Sequence, residues 1–594
     1  MDEDTQNSPA APTKNQPKSK GRGHNAALSL RPFPLLTDAW ASSWSWVNST
    51  YHAARHLSHQ RQRQRRRLRR RATTLTTTAF GPKCSQQGDA DEQSEDCLYI
   101  NVFRPLNPPS TSLPVLFFIH GGGFQSGSGS DYDPTNFIKE GMQNDQPVVV
   151  VTINYRLNIF GFLASSDLAT LSGLDSSGCT ARNSNCTTRN VGSQPVGINL
   201  GFQDMKMGIQ WTHDNIDAFG GDPTKITIWG QSAGAYGVGA MLLGHTGTAL
   251  GSDQQAKNNP PRPLFRGAIL MSGGPSGPPL ALPSDRDPLW NSVLISTQCD
   301  SRTTAQTRLD CLRGADWHVL RNISQDLTQS AVFSGPGPYV LGSYPWTPVA
   351  DGGAARGAFY ASPGSLLLKA GRFANVPFIS GDVEDEGTTF APKQFSDDAK
   401  FESWFRAIYF SNGTQAQQDD AWQAISAAYP DDPAVGSPYD PVKGPKTDRY
   451  FGAQSQYKRA ASLYGDIRFQ SNRRQILESS LQTHNSTKVW SYYFQDPPTH
   501  AAVSLGVPHS SDLDVAWAFE SSKLNTVMAR QFIAFATSLD PADSAGLPAW
   551  PTYDTQARQL MSYFEGNTAL IKDDYRQAAM DVLNTDIVQF VTSR

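Results

Sequence analysis

The stretch KITIWGQSAGAYGVGAMLL, residues 225–243, determines the predicted fold. Its apolar start is typical of a buried strand, and the small and apolar residues from Ala233 onward are typical of a helix. Ser232 is then predicted to lie on the tight turn between them. The glycines two positions before and after this serine lack a Cβ atom, so the strand and the helix can approach closely around it. The pattern G-x-S-x-G in this place predicts a reactive serine.

Short apolar runs of the same kind recur along the chain between polar turns. Their lengths and their content of β-branched and aromatic residues are typical of buried strands in a parallel sheet. Stretches with helical spacing lie between several of them, for example residues 202–216. Strands that alternate with helices predict an α/β fold with a mostly parallel central sheet and helices on both faces. The runs lie at residues 113–123, 147–156, 225–234, 266–274, 375–382 and 488–494.

The beginning of the 594-residue chain differs from the rest in composition. Residues 1–77 are low in complexity, and residues 61–71 read RQRQRRRLRRR. Residues 1–75 contain 14 Lys and Arg against 4 Asp and Glu, whereas the remaining chain contains 37 against 50. We expect residues 1–77 to form a disordered, solvated tail and residues 78–594 to form the folded domain.

Nucleic-acid binding through the arginine run is an alternative function, because such runs contact phosphate or act as nuclear addresses. We do not expect it, since no other nucleic-acid module is visible and the acidic body of the chain would repel phosphate. A membrane span is not expected either, because no apolar run approaches the roughly 18 residues that one needs.

Six cysteines fall into three close pairs, at 84 and 97, 179 and 186, and 299 and 311. No C-x-x-C or His/Cys cluster is present, so the pattern favours disulfides over a metal site. Paired cysteines together with five N-x-S/T sequons favour an extracellular or secretory location. The first residues, however, lack the pattern of a signal peptide. The sequons lie at Asn48, Asn185, Asn322, Asn412 and Asn485.

Three consecutive glycines follow the predicted strand that ends at Ile119. Glycine amides at the carboxyl end of a strand are unobstructed, and a serine hydrolase needs such donors for its developing oxyanion. We therefore predict that Gly122 and Gly123 form an oxyanion hole. The amide of Ala233, at the start of the predicted helix, is the third expected donor.

The acid and the histidine of a triad would follow Ser232 along the chain. Residues 382–387 read DVEDEG and offer four acids at the end of a predicted strand, and three histidines come after them. His484 precedes the strand predicted at 488–494 and lies at its wrong end, whereas His500 and His509 both follow it. Position alone does not decide which of these two histidines belongs to the triad. It also leaves open Asp382, Glu384, Asp385 and Glu386.

These features resemble the carboxylesterase type B family, a group of α/β hydrolases that includes carboxylesterases, cholinesterases and one class of fungal lipases. The matching blocks follow the family's order from about residue 80 to the C-terminus. The resemblance implies the α/β-hydrolase fold and a serine ester hydrolase that needs no cofactor or metal. The blocks are SEDCLYINVFRP (94–105), HGGGF (120–124), NYRLNIFGFL (154–163), NIDAFGGDPTKITIWGQSAG (215–234), AILMSGG (268–274), DEGTTF (385–390) and GVPHSSDL (506–513).

The resemblance also implies roles for individual residues. Ser232 matches the nucleophile, Glu386 the acid and His509 the histidine of the family's triad, and Ser272 matches a residue that supports the histidine and the acid. Such a triad cleaves carboxylic esters through an acyl-enzyme. The family's disulfides match Cys84–Cys97 and Cys299–Cys311, which leaves Cys179–Cys186 as a third pair.

Two departures from the family narrow the expected substrate. The loop from Cys84 to Cys97 is short, acidic and without Trp, whereas the family's lipases carry a longer apolar lid here and its cholinesterases a Trp that binds quaternary ammonium. Gln231 stands where the family usually has Glu. We therefore predict a general carboxylesterase that acts on small-molecule esters, rather than a lidded lipase or a cholinesterase.

The larger departure is at the front of the chain. Family members begin with a small β-sheet and a segment similar to F-x-G-I-P-Y-A, and neither is visible before Phe80. Some relatives have lost the serine and act as adhesion ectodomains, so a catalytically impaired binding protein is the alternative function. The presence of Ser232, Glu386 and His509 favours the enzyme.

Overall fold

Strands and helices alternate along most of the chain. The structure is a computed structural model, and it describes residues 28–30, 79–108, 110, 112–172, 197–244, 264–277, 279–329, 344–352, 359–439, 455–484, 487–499, 501–519 and 523–594. The strands in these residues are β1 Leu28–Leu30, β2 Lys83–Cys84, β3 Gln93–Ser94, β4 Ile100–Phe103, β5 Leu113–Ile119, β6 Val149–Ile153, β7 Gly221–Gln231, β8 Gly267–Met271, β9 Phe378–Val383, β10 Val489–Phe494, β11 Gln559–Phe564 and β12 Asn567–Lys572.

The α-helices surround these strands and connect most of them. In chain order they are α1 Thr135–Gln143, α2 Asn158–Phe162, α3 Ser166–Leu171, α4 Leu200–Asn215, α5 Ala233–Gly244, α6 Asp287–Ser296, α7 Ala305–Arg313, α8 Trp317–Gln329, α9 Gly364–Lys369, α10 Asp398–Tyr409, α11 Gln415–Ala428, α12 Tyr457–Gly465, α13 Ser471–Thr483, α14 Leu513–Ala516, α15 Lys523–Ser538, α16 Gln577–Leu583 and α17 Asp586–Val591. None of the helices in the described part of the chain combines the length and apolar character that crossing a membrane requires.

The central sheet has ten strands in the order β1-β4-β6-β5-β7-β8-β9-β10-β11-β12. The strands from β6 to β11 in this order pair in parallel, and antiparallel strands complete both edges. The six apolar runs of the sequence correspond to β5 through β10. The predicted sheet, mostly parallel at its centre, is thereby confirmed.

Apolar residues cover both faces of this sheet, as the near-continuous hydrophobic runs predict. Alternate residues of β7 enter different cores: Ile228 packs with helices α4 and α5, and Trp229 packs with α1 and α15. Trp229 stacks on Trp517 with ring centroids 4.6 Å apart, and Phe118 contacts both rings edge-on. The prediction of helices on both faces is confirmed.

Helices α12 and α13 form one continuous helix that is interrupted by a π-helical turn, Asp466–Gln470. Such a turn inserts an extra residue and rotates the side chains that follow it, and it is frequent at functional sites. Here it directs Arg468 and Phe469 toward the cavity described below.

Two of the three predicted disulfides are formed, Cys84–Cys97 and Cys299–Cys311. The third pair, Cys179 and Cys186, lies outside the described residues. So do most of residues 1–77 and the whole arginine run at 61–71. Within this predicted tail, the three residues of β1 pair antiparallel with β4 at the sheet edge, and the prediction for the rest stays a prediction.

Candidate active site

Ser232 alone forms the turn between β7 and α5. Its φ of 56° is uncommon for a residue with a side chain, and its amide donates to the carbonyl oxygen of Met271 at 2.9 Å. A Cβ atom added at Gly234 would lie 2.0 Å from the carbonyl oxygen of Ile119, and one at Gly230 would lie 2.4 Å from that of Gly234. The two glycines are therefore sterically required for the close approach of strand and helix.

The three predicted oxyanion donors lie together on the wall of a cavity that Ser232 also lines. Among the described residues, no backbone or side-chain acceptor takes the amide protons of Gly122, Gly123 or Ala233. Gly122 and Gly123 have φ values of 98° and 63°, and a Cβ at Gly122 would lie 2.1 Å from the carbonyl oxygen of Ser126. Unpaired amides fixed in this way can stabilise a negative charge that develops next to them.

His509 and Glu386 form a buried hydrogen-bonded pair. Nδ1 of the imidazole donates to Glu386 Oε2 at 2.5 Å, and Glu386 Oε1 accepts the amide of Val383 at 2.9 Å. The side chains are 6% and 0% exposed. Phe469 and Phe390 contact the imidazole with ring centroids 4.8 and 5.1 Å away. Because Nδ1 carries the proton, Nε2 has the lone pair that a general base needs.

The other acids and histidines that the sequence left open have different positions. His484 faces the carbonyl oxygen of Phe373 at the far end of α13, and His500 lies outside the described residues. The remaining acids of the DVEDEG segment pair elsewhere: Asp382 with Arg473, Glu384 with Gln495, and Asp385 with Ser437 and the amides of Tyr439 and Val507. Of these candidates, only Glu386 contacts His509 among the described residues.

Gln231 connects the serine turn with the loop that carries the histidine. Its Nε2 donates to Ser510 Oγ at 2.8 Å and lies 3.4 Å from Nε2 of His509. Within the described part of the chain no hydrogen bond joins Ser232 to His509, although both line the same cavity. Contacts of this kind are often loose in a free enzyme and tighten when substrate binds. The sequence marked Gln231 as unusual but did not predict this bridge.

Behind Glu386 lies a buried acid that the sequence analysis missed. Burial raises the pKa of Asp512 to about 7, and the charge of Glu386 adds to the increase while the hydrogen bond from Tyr492 opposes it. Asp512 is therefore only partly ionised near neutral pH, which reduces the second negative charge behind the imidazole. Asp512 lies three residues after His509, but nothing in its sequence context distinguishes it from a surface acid.

Ser272, the predicted support of the histidine and the acid, is fully buried at the end of β8. Its amide donates to the carbonyl oxygen of Gly381, but its hydroxyl forms no hydrogen bond with any described residue. A supporting role for the hydroxyl therefore stays a prediction.

The cavity has a volume of about 550 Å³, which is in the range typical of small-molecule sites. Aromatic side chains, including Phe124, Tyr236 and Phe469, form part of its wall. Its lining also contains several polar groups: Gln87, Gln125, Gln231, Tyr344, Thr389 and Arg468. The cavity is thus large enough for a small-molecule ester, and its wall combines aromatic side chains with several polar groups.

Two of the five sequons can be located. Asn322 is exposed on α8, whereas the side-chain nitrogen of Asn412 donates to the carbonyl oxygen of Phe590 and to Ser593 Oγ. Asn48, Asn185 and Asn485 lie outside the described residues. Glycosylation stays a prediction, and Asn322 is the more accessible of the two described acceptors.

A family model described as the Carboxylesterase family matches residues 61–173 and 190–583. The chain belongs to the carboxylesterase family. The family predicted from the sequence blocks is thereby confirmed, and with it the α/β-hydrolase fold and the general class of carboxylic ester hydrolase.

Several relatives of this carboxylesterase-family chain are named lipases. Lipase 2 of Geotrichum candidum is 31% identical over 510 residues, which cover 85% of this chain and 80% of the relative. Secreted lipase 1 of Botryotinia fuckeliana (strain B05.10) is 32% identical over 503 residues, which cover 84% of this chain and 77% of the relative. Among solved structures, Aspergillus niger EstA superposes with a TM-score of 0.67 at 25% identity, over 87% of this chain and 89% of EstA.

Proposed function

We propose that the protein is a serine carboxylesterase in which Ser232, Glu386 and His509 form the catalytic triad. The observation that carries this proposal is the 2.5 Å hydrogen bond between His509 and Glu386 beside the cavity that Ser232 lines. A buried pair of this kind fixes the tautomer and orientation of an imidazole that acts as a base.

The proposed reaction has two steps. His509 Nε2 takes the proton of Ser232 as Oγ attacks the ester carbonyl, and Glu386 stabilises the imidazolium that forms. The oxyanion accepts hydrogen bonds from Gly122, Gly123 and Ala233, and it collapses with departure of the alcohol, which His509 protonates. Water then attacks the acyl-enzyme with the same base and the same donors, and the carboxylic acid leaves. We expect no metal or cofactor to take part.

Covalent labelling tests the assignment of the nucleophile. The wild-type protein should react with a fluorophosphonate probe and hydrolyse p-nitrophenyl butyrate, and Ser232→Ala should lose both, because it removes the hydroxyl that lies on the G-x-S-x-G turn and lines the cavity together with His509 and the oxyanion amides. Ser112→Ala, which changes an exposed serine before β5, is the matched control and should keep both. A wild-type protein that neither reacts with the probe nor hydrolyses esters would support the alternative function, that of a catalytically impaired binding protein.

We further propose that the substrates are soluble or modest-chain esters, although several relatives are named lipases. The loop from Cys84 to Cys97 supports this, because side chains of α8 hold it in place. The guanidinium of Arg321, only 9% exposed as a residue, donates to the carbonyl oxygens of Gln86 and Gly88 and to Gln93 Oε1. A short loop held by a buried guanidinium is poorly suited to open as a lid at a lipid surface.

Comparison of two substrates tests this restriction. We expect the turnover of p-nitrophenyl butyrate to exceed that of emulsified long-chain triglyceride, and we expect no increase in activity at the concentration at which a lipid substrate forms an interface. Higher activity on the emulsion would identify a lipase and leave the triad assignment intact.

We infer a secretory location from the two disulfides in the described residues and from relatives named as secreted. We also propose that residues 78–594 form one catalytic domain and that residues 1–77 precede it as a tail. Expression in a eukaryotic host tests the location: the protein should be recovered from the medium, and peptide N-glycosidase should reduce its mass, by less in Asn322→Gln than in the wild type.

A further inference from the structure

One charged side chain in the cavity has no role in the reaction proposed above. Arg468 lies on the π-helical turn Asp466–Gln470, and it lines the same cavity as Ser232 and His509. Its neighbour Phe469 contacts the imidazole of His509 with ring centroids 4.8 Å apart. Arg468 is therefore adjacent in the chain to a residue that contacts the proposed catalytic histidine.

Among the residues that the structure describes, the positive charge of Arg468 has only neutral partners. Its Nε donates to the hydroxyl of Tyr409 at 3.1 Å, and its guanidinium lies 5.4 and 5.3 Å from the ring centroids of Tyr409 and Tyr464. Burial raises the pKa of both tyrosines, so neither becomes a phenolate near neutral pH. A guanidinium is charged at every physiological pH. No carboxylate of the described residues forms an ion pair with it.

Within the described part of the chain, the acids that line the cavity or contact its histidine are already engaged or are exposed. Glu386 accepts hydrogen bonds from His509 and from the amide of Val383. Asp326 lies on the cavity rim and is exposed to solvent. Neither of them compensates the charge of Arg468.

A charge that is partly removed from water and has no counter-ion is unfavourable, and an anion that binds to it relieves this cost. The donors Nη1 and Nη2 have no hydrogen-bond partner among the described residues and are not fully buried, so they remain available to a molecule in the cavity. A guanidinium binds a carboxylate through two parallel hydrogen bonds.

We propose that Arg468 determines substrate specificity by binding a carboxylate that the substrate carries in addition to its ester. The preferred substrates are then esters with a free carboxylate in the acyl or the alcohol part, such as half-esters of dicarboxylic acids. This inference rests on the proposed esterase function, because it assigns the substrate class of the same site.

Pairs of matched substrates test the inference on the full chain. Monoethyl glutarate carries the carboxylate in its acyl part, and the acetate ester of γ-hydroxybutyrate carries it in its alcohol part. Each is compared with the methyl ketone of the same length, in which a methyl group replaces the charged oxygen. In at least one pair the wild-type kcat/KM should be higher for the anion, and the pair that responds shows which part of the substrate Arg468 contacts.

Variants then show whether Arg468 causes the preference. Arg468→Met should lower the ratio of kcat/KM for anion over ketone by about 10- to 100-fold, the loss typical of a hydrogen bond to a charged group. Arg468→Lys should lower it less, because a point charge is kept but the paired donors are lost. Arg313→Met removes the same charge from an exposed position on α7 and should leave the ratio unchanged.

The possible failures can be distinguished. A wild-type ratio at or below one in both pairs, or an unchanged ratio in Arg468→Met, overturns the role of Arg468 while hydrolysis of the ketones supports the esterase. Absence of hydrolysis of all four esters together with absence of probe labelling overturns the esterase itself. Where Arg468→Met yields no soluble protein, the role of Arg468 is still tested: a wild-type ratio at or below one overturns it, and so does an unchanged ratio in Arg468→Lys.

Discussion

At the scale of single residues, Gln231 is the side chain whose contacts were least expected. It is adjacent to Ser232 in the chain, and its amide reaches Ser510 Oγ at 2.8 Å and approaches His509 Nε2 at 3.4 Å. Ser510 itself has a φ of 76°, so the loop that carries the histidine is held in an uncommon conformation. Gln231 thus fixes the position of this loop relative to the serine turn.

We predict that Gln231→Leu lowers kcat for p-nitrophenyl butyrate by about 10-fold or more, because loss of a positioning contact misaligns the base and the serine. Gln231→Glu should be milder, since the hydroxyl of Ser510 can rotate and donate to a carboxylate instead. Titration of active sites with a fluorophosphonate separates slower turnover from a smaller folded fraction. Equal kcat in Gln231→Leu and wild type would contradict the role.

The residues of the site differ in how far the sequence predicts them. Ser232 and the glycine amides could be placed from local patterns, because each lies within a few residues of a strand end. The choice of His509 over His500 needed the family resemblance, since both follow β10. Arg468 could not be predicted, because its place in the cavity depends on a π-helical turn in an otherwise ordinary helical pattern.

At the scale of secondary-structure elements, the close contact of β5, β7 and α5 determines where the serine lies. β7 pairs in parallel with β5 and β8, so the carboxyl ends of these strands lie side by side. Helix α5 begins at this edge of the sheet, two residues after the last residue of β7. The strands and the helix can approach this closely because Gly230 and Gly234 have no side chain. A Cβ atom at either position would collide with backbone atoms. Backbone atoms of buried strands cannot move aside as a flexible side chain can.

We predict that Gly234→Ala lowers esterase activity at least about 100-fold and also lowers stability, because its Cβ would lie 2.0 Å from the carbonyl oxygen of Ile119 and displace the loop with the oxyanion donors. Gly237→Ala on the same helix is the control: its Cβ meets the Met205 side chain, which can rearrange. Kinetics and thermal unfolding of both variants test this. Equal losses in the two would contradict the steric explanation.

The strands at the edges of the sheet could not be predicted from the sequence as the central strands could. The central strands are buried on both faces, so their continuous apolar runs were visible in the sequence. β12 is largely exposed and reads NTALIK, which has no such pattern. It pairs with β11 through a tight hairpin at Gly566, whose φ of 71° suits a glycine, so the pairing depends on the turn and not on an apolar pattern in the strand.

At the scale of the whole molecule, a buried ionic cluster connects the C-terminal segment to the central sheet. Asp573, directly after β12 and fully buried, accepts hydrogen bonds from Arg473 and Arg474 of α13 and from Tyr553. Arg473 also donates to Asp382 at the end of β9. One carboxylate thereby holds a helix, the edge hairpin and the strand that precedes Glu386 in one arrangement.

We predict that Asp573→Asn destabilises the protein by about 3–5 kcal/mol, because it removes the counter-ion of the buried Arg474 and leaves the buried Arg473 with Asp382 alone. Asp574→Asn is the matched control: its carboxylate is half exposed and pairs with Lys572 at 3.2 Å, so its loss should cost less than about 1 kcal/mol. Urea unfolding of the two variants and the wild type at neutral pH measures the difference. Similar losses would show that the cluster contributes no more than a surface pair.

The same cluster predicts how stability depends on pH. Burial raises the pKa of Asp573, but the charges and hydrogen bonds of Arg473 and Arg474 lower it more, so the folded-state pKa lies well below the usual value. The stabilising contribution is then complete above about pH 4, where the unfolded carboxylate is also ionised, and it is lost as the pH falls below that value. The stability difference between wild type and Asp573→Asn should therefore be constant from pH 7 to about pH 5 and shrink toward pH 3. A difference that does not change on acidification would mean that the folded carboxylate gains nothing from its two arginines.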